Sequence, residues 1–320
     1  MSLKQHNKIK EILDGPVFTV FTAFNSSGDI SYQQIEKYLN FLYSQGVRNF
    51  YVMPYNSRYS QLREKEIYEL NRFVISAVKN LNNKNYVIVS DSIHGPSELS
   101  ADIGFDAFER GADMFASIVR EKYFSDTQII NHYKFLSNKL NKPLLVHEMP
   151  FLSGYDATVM RWPLSLLKKL KEIENVLAIK EDAKDTNYGI KVIENLEPDI
   201  KVIFAGKKRF IKELYPHGLT SYLNGTSIVN PQIAFLFWEA LKDKNKNQLD
   251  KILESIEDPF WNELVAKFGW HRSNKALLEA AGLMDRFDRL PMQHLESEDF
   301  EIVQKFYNEN KETLLNPSFQ

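Results

Sequence analysis

Eight times along this chain, a short run of apolar, β-branched or aromatic residues is followed by a longer segment with apolar residues at helical spacing. The strand-like runs lie at 16–24, 47–53, 86–90, 112–119, 143–147, 176–180, 201–205 and 219–223. The helix-like segments lie at 32–45, 64–81, 96–110, 127–140, 163–173, 186–196, 208–215 and 231–241. Runs such as V-L-A-I at 176–179 are apolar without alternation, which suits strands buried on both faces of a parallel sheet. Gly46, Gly111 and Gly218 stand at three helix-to-strand joints, where a left-handed residue lets the chain leave the helix. Ser31 is placed to cap the helix that starts at Tyr32. One strand and one crossover helix repeated eight times predict an α/β fold, a (β/α)8 TIM barrel of about 250 residues. A doubly wound open sheet shares the alternation, but no G-x-G-x-x-G follows the first strand.

Beyond residue 245 the pattern changes to helices alone, at 249–256, 260–268, 274–281 and 297–309, with Trp261, Phe268 and Trp270 supplying an apolar face. No Gly/Pro/Ser-rich linker precedes them. The expected organisation is a barrel over residues 1–244 and a helical extension over 245–320 packed upon it. A net charge of −2 lacks the basic surplus of a nucleic-acid footprint. The absence of cysteine excludes disulfides and thiolate metal sites, and no histidine pair has the H-x-x-x-H spacing. No apolar run approaches the roughly 18 residues of a membrane span, and the first residues lack the apolar core of a signal peptide. These features predict a cytoplasmic protein without cofactor, metal, nucleic-acid or membrane partner.

The sixth strand run, V-L-A-I-K-E-D at 176–182, carries the chemistry-bearing residue. A barrel sets its active groups at the carboxyl ends of its strands, where Lys180 falls. An amine leaving an apolar environment loses its proton more readily, because desolvation disfavours the ammonium. Lys180 is therefore a candidate imine-forming nucleophile; the plain alternative is a strand that ends in solvated charge. Glu148, beside His147 at the end of strand five, and Asp91, at the end of strand three, are candidate acids or bases. Lys207, Lys208 and Arg209, next to Gly206 at a helix start, are either an anion site or a solvated charge run. Asn224-Gly225-Thr226-Ser227 after strand eight either lines the barrel mouth or forms a plain turn.

With the strands placed, residues 16–281 resemble the dihydrodipicolinate synthase / N-acetylneuraminate lyase family of class I aldolases. The resemblance is carried by A-I-K-E at 178–181, by P-L-L-V-H-E-M-P-F-L-S-G at 143–154, where the family usually reads Y-N-x-P, and by T-A-F at 22–24 with Gly28 and Asp29. The ending Leu152-Ser153-Gly154 is closer to the sialic-acid lyase branch. The resemblance implies an imine between Lys180 and the ketone of pyruvate or another 2-oxo acid, with Tyr123 shuttling protons. It also implies a small-molecule substrate and a homodimer or homotetramer. Two departures stand out. Where the family has G-T-T/S-G-E after strand two, this chain has Pro54-Tyr55-Asn56-Ser57-Arg58; where lyases have G-x-D-E after strand seven, it has Gly206-Lys207-Lys208-Arg209. Pro54 has no N–H to offer, whereas Asn56 can donate and Arg58 can clamp a carboxylate bidentately. The expected enzyme is a metal-independent lyase or aldolase for a 2-oxo acid or related carbonyl compound. Lys180 and Tyr123 would be catalytic, with Tyr55, Asn56, Arg58, Glu148, Leu152, Gly206 and Asn224 around the substrate. The alternative is a barrel that has lost catalysis and serves in binding or regulation.

Overall fold

The computed structural model describes residues 3–92, 95–119, 125–148 and 161–315. Eight parallel strands close into a barrel in sequential order: β1 (Gly15–Thr19), β2 (Asn49–Tyr51), β3 (Tyr86–Ser90), β4 (Met114–Ser117), β5 (Leu144–His147), β6 (Val176–Glu181), β7 (Lys201–Phe204) and β8 (Ser221–Leu223). β8 closes onto β1 through the register Gly15↔Ser221 to Val17↔Leu223. Several ladders are shorter than the apolar runs that foretold them. Residues such as Val20, Phe21, Val52 and Val119 remain buried beyond the strand ends, at the barrel rim, where the Val20 and Val52 amides still bond to the Tyr51 and Ile88 carbonyls at 2.9 and 2.8 Å. The absence of alternation has its explanation in two apolar layers. Tyr51, Ile88, Met114, Leu145, Ala178 and Ile203 fill the interior, while Phe50, Val87, Phe115, Val146, Ile179 and Val202 pack under the helices.

One bulge matters for function. Leu144 pairs with Val176 but Leu145 pairs with Ala178, so β6 gains a residue at that point. The shift brings Ala178 and Lys180 onto the interior face.

The helices are α1 (Leu3–Ile12), α2 (Tyr32–Ser44), α3 (Glu64–Leu81), α4 (Ser97–Glu109), α5 (Asp126–Leu140), α6 (Leu164–Lys171), α7 (Thr186–Leu196), α8 (Lys208–Leu214) and α9 (Gln232–Lys242). Gly46, Gly111 and Gly218 end helices at φ +94°, +99° and +99°, the left-handed role expected of them. Ser31 precedes α2, but its hydroxyl makes no cap bond; its amide instead donates to the Ala23 carbonyl at 2.8 Å. α1 was not foreseen. Its Ile9 and the following Leu13 plug the amino-terminal end of the barrel, in the same cluster as Val17, Tyr86 and Met114.

The extension begins with α10 (Lys246–Ile252), which runs into π-helical turns at Leu253–Glu257 and Phe260–Val265. The short α11 (Ala266–Phe268), α12 (Trp270–Ala280) and the long α13 (Ser297–Leu315) follow. It is bonded to the barrel at several points: Lys275 Nζ donates to the Thr22 carbonyl at 3.0 Å and Asn230 Nδ2 to the Leu314 carbonyl at 2.7 Å. Among the described residues no helix is long and apolar enough to cross a membrane.

Candidate active site

At the carboxyl end of the barrel a cavity of about 240 Å³ opens over Lys180. Strand ends β1, β2, β7 and β8 contribute Thr19, Met53, Tyr55, Asn56, Gly206 and Asn224, and the extension contributes Trp261 and Trp270. Lys180 itself is only 2% exposed. Its Nζ lies 3.2 Å from Asp182 Oδ2, and Lys184 holds the other oxygen of the same carboxylate. Burial depresses the Lys180 pKa and the Lys184 charge assists, while Asp182 works against them. The result is an amine below its ordinary range, at the floor of an open cavity, with a carboxylate in hydrogen-bond reach.

Asp182 and Lys184 line the cavity too, and neither stood out in the sequence. A signal existed. The two-residue period of an extended chain puts position 182 on the same side as position 180. The same period turns Glu181 away from Lys180. Glu181 and Glu148 lie buried behind the cavity wall, not in it. Glu148 Oε1 accepts from the Trp162 amide at 2.7 Å and Glu181 Oε1 from the Ala183 amide at 2.6 Å. The second oxygen of each has no hydrogen-bond partner among the described residues. Burial and the neighbouring Glu181 push the Glu148 carboxyl well above the usual range; burial lifts Glu181 to about 7. Glu148 is thus not among the described residues that line the cavity.

The loop after β2 differs from expectation in the same way. Tyr55 and Asn56 reach the cavity, whereas Arg58 does not. Arg58 sits at φ +56°, donates through Nε to Gln61 Oε1 at 2.8 Å, and lies 5.4 Å over the Tyr55 ring. Asn56 is tied into the wall, with Nδ2 donating to Thr19 Oγ1 at 2.8 Å and Oδ1 accepting from Trp270 Nε1 at 3.2 Å. The Ser57 hydroxyl donates to the Val20 carbonyl at 2.6 Å. No carboxylate clamp is formed there.

The cations after β7 are likewise committed. Lys208 is fully buried and donates to Glu257 Oε2 at 3.1 Å, Thr226 Oγ1 at 3.0 Å and the Asn224 carbonyl at 3.3 Å. Arg209 forks onto Asp258, and the Lys207 amine stands 5.0 Å over the Trp261 ring. This run fastens the extension to the barrel and forms no anion site. Asp91 is buried away from the cavity, accepting from the Ser100 and Ser117 hydroxyls at 2.8 and 2.5 Å. Asn224, at the end of β8, accepts from the Thr19 amide through Oδ1 at 3.4 Å; its Nδ2 has no hydrogen-bond partner among the described residues. Deeper in the barrel, His147 is the ladder partner of Lys180, and its Nδ1 shares a 2.8 Å hydrogen bond with the Tyr51 hydroxyl. Tyr123 and Leu152 lie outside the described residues. Among the described residues no cluster of three or more histidines and carboxylates is arranged to hold a metal ion.

The model of the dihydrodipicolinate synthetase family matches residues 13–309. The 4-hydroxy-tetrahydrodipicolinate synthase of Fervidobacterium nodosum is 22% identical over 89% of this chain and 94% of its own length. Among solved structures, dihydrodipicolinate synthase from Bacillus clausii superposes with a TM-score of 0.82 at 19% identity, covering 95% of this chain and 99% of that one. N-acetylneuraminate lyase from Mycoplasma synoviae gives a TM-score of 0.79 at 21% identity, covering 94% and 98%. At such identities the structures speak for the fold, while the family match spans nearly the whole chain. The closed parallel barrel agrees with that match, and the chain belongs to the dihydrodipicolinate synthetase family.

Proposed function

We propose that this protein is a lyase or aldolase that binds a carbonyl substrate as an imine on Lys180 and then makes or breaks a carbon–carbon or carbon–oxygen bond beside it. One observation carries the reading. The Lys180 amine is buried, lowered in pKa, and yet lines an open cavity at the catalytic end of the barrel. The neutral amine attacks the carbonyl carbon, and the C=O electron pair moves to oxygen, which takes a proton. The nitrogen gives up a proton, the hydroxyl leaves as water after gaining one, and the C=N bond forms. Each step needs a group that both accepts and donates within reach of Nζ. Asp182, at 3.2 Å, meets that condition by distance. The imine then draws electrons from the neighbouring bond, the usual purpose of such an adduct.

The rewritten loop after β2 motivates a non-catalytic barrel as the rival reading. Against it stands the space above Lys180, which Tyr55 borders without filling. Trapping decides between the two. Incubation with a broad panel of 2-oxo acids, ketones and aldehydes, followed by borohydride, should give a stable mass adduct that peptide mapping assigns to Lys180. A panel that leaves Lys180 unmodified would exclude the imine chemistry.

A further inference from the structure

The cavity wall opposite the barrel strands is built by the extension. Trp261 and Trp270 stack with centroids 5.1 Å apart at an interplanar angle of 24°. Both indole N–H groups are spent within the protein, Trp270 on Asn56 Oδ1 at 3.2 Å and Trp261 on Glu257 Oε1 at 2.9 Å. What the pair offers the cavity is therefore carbon and π surface. Met53, Tyr55 and Leu223 extend that surface around the rim.

Among the described residues the polar side chains belong to the strand ends: Lys180, Asp182 and Lys184, with Thr19, Asn56 and Asn224 beside them. Lys180 and Asp182 form the reacting corner, and Lys184, the other cation at the cavity, is already paired with Asp182. In the loop after β2 the elements that could take a carboxylate are closed: Pro54 has no amide hydrogen, Ser57 donates to Val20, and Arg58 is bound to Gln61 outside the cavity. Against the tryptophan wall a polyhydroxylated or dicarboxylic chain would lose its hydration and gain no hydrogen bond from the indoles in return. A flat ring would lose little and gain stacking and buried area. Size agrees. The cavity of about 240 Å³ exceeds the ~150 Å³ that suffices for benzene in a dry apolar hole, leaving room for a short carbonyl arm.

We propose that the substrate is an aryl carbonyl compound, with its carbonyl carbon at Lys180 and its ring against the Trp261–Trp270 wall. This rests on the imine reading of Lys180 and adds the substrate class to it. Rings stacked on a fixed aromatic wall gain roughly tenfold in affinity, before any gain from apolar burial.

The test uses the full chain with four probes: phenylpyruvate and cinnamaldehyde for the aryl class, pyruvate and 2-oxoglutarate for the others. The concentration giving half-maximal borohydride trapping on Lys180 is measured for each. The aryl probes should need concentrations about tenfold lower or less, and Trp261→Leu should erase that preference. Trapping of pyruvate or 2-oxoglutarate at equal or lower concentration than the aryl probes overturns the proposal and leaves the imine reading standing. A folded Trp261→Leu protein that keeps the full aryl preference overturns it equally; if that variant does not fold, the order of the four probes on the unaltered protein decides. Absence of an adduct with all four overturns the aryl proposal, and the imine reading then stands or falls by the broad panel.

Discussion

Asp182 acts on Lys180 in two ways that pull in opposite directions, which makes the pair testable one residue at a time. As a negative charge 3.2 Å from Nζ, it raises the lysine pKa and so keeps more of the amine protonated and unreactive. As a proton carrier at the same distance, it would speed formation of the imine. In Asp182→Asn the charge and the carrier vanish together, and the sign of the change tells which mattered. If proton transfer dominates, the rate of imine trapping near neutral pH should fall by about 10²-fold or more, the usual share of general acid–base catalysis. If Asp182 is an ion-pair partner alone, the freed amine becomes more neutral and trapping should accelerate. A pH profile of the trapping rate separates the two. We expect the fall.

Between elements, the critical joint is Lys208 at the start of α8 with Glu257 at the end of the first π-helical turn. Both are essentially inaccessible, and Glu257 also holds the Trp261 indole, so this one carboxylate secures both the extension and the cavity wall. Removing one member of a buried pair strands the other charge, at a cost of about 3–5 kcal/mol. Glu257→Leu should therefore lower stability by that order in denaturant unfolding. The double variant Lys208→Met/Glu257→Leu should be more stable than Glu257→Leu alone, because no charge is then left unpaired. A double variant that loses as much as the two singles added together would show that the charges are not coupled.

Across the molecule, an ionisable group with a direct bearing on stability is Lys275 of α12. Its amine is completely buried, with the Thr22 carbonyl and the Met284 sulfur as hydrogen-bond acceptors, and burial holds its pKa down to about 8 against 10.5 in water. Between those values the unfolded chain binds the proton and the folded one does not, so stability rises with pH in that window. Below about pH 8 both states are charged and the full burial cost, on the order of 3 kcal/mol, is present. The lowered Lys180 and Lys201 amines add the same sign. Above about pH 10 the trend reverses, because Tyr38, Tyr51 and Tyr86 are buried and keep their protons when unfolded tyrosines lose theirs. The melting temperature should accordingly climb from pH 8 to 10. Lys275→Met should flatten the climb and raise the value at pH 7; an unchanged slope in that variant would assign the effect elsewhere.

What the sequence determined alone is the barrel and the place of Lys180 in it. Strands buried on both faces need unbroken apolar runs, crossover helices need a 3.6-residue period, and the joints need Gly46, Gly111 and Gly218; all three are local requirements written into neighbouring residues. The Lys180–Asp182 relation was also local, a two-residue spacing on a strand end, and was legible, although Asp182 was not among the expected site residues. So was α1, whose Ile9, Ile12 and Leu13 have helical spacing in an otherwise polar segment. The fate of the loop cations and of Arg58 was not legible. Whether a charge faces solvent, a ligand or a buried partner depends on what arrives from far along the chain. Lys208 meets Glu257 forty-nine positions later, and Asn56 meets Trp270 after two hundred and fourteen. The aromatic wall belongs to the same class: Trp261 and Trp270 read as core residues of a helical tail, and only its fold back over the barrel mouth turns them into the surface a substrate would meet.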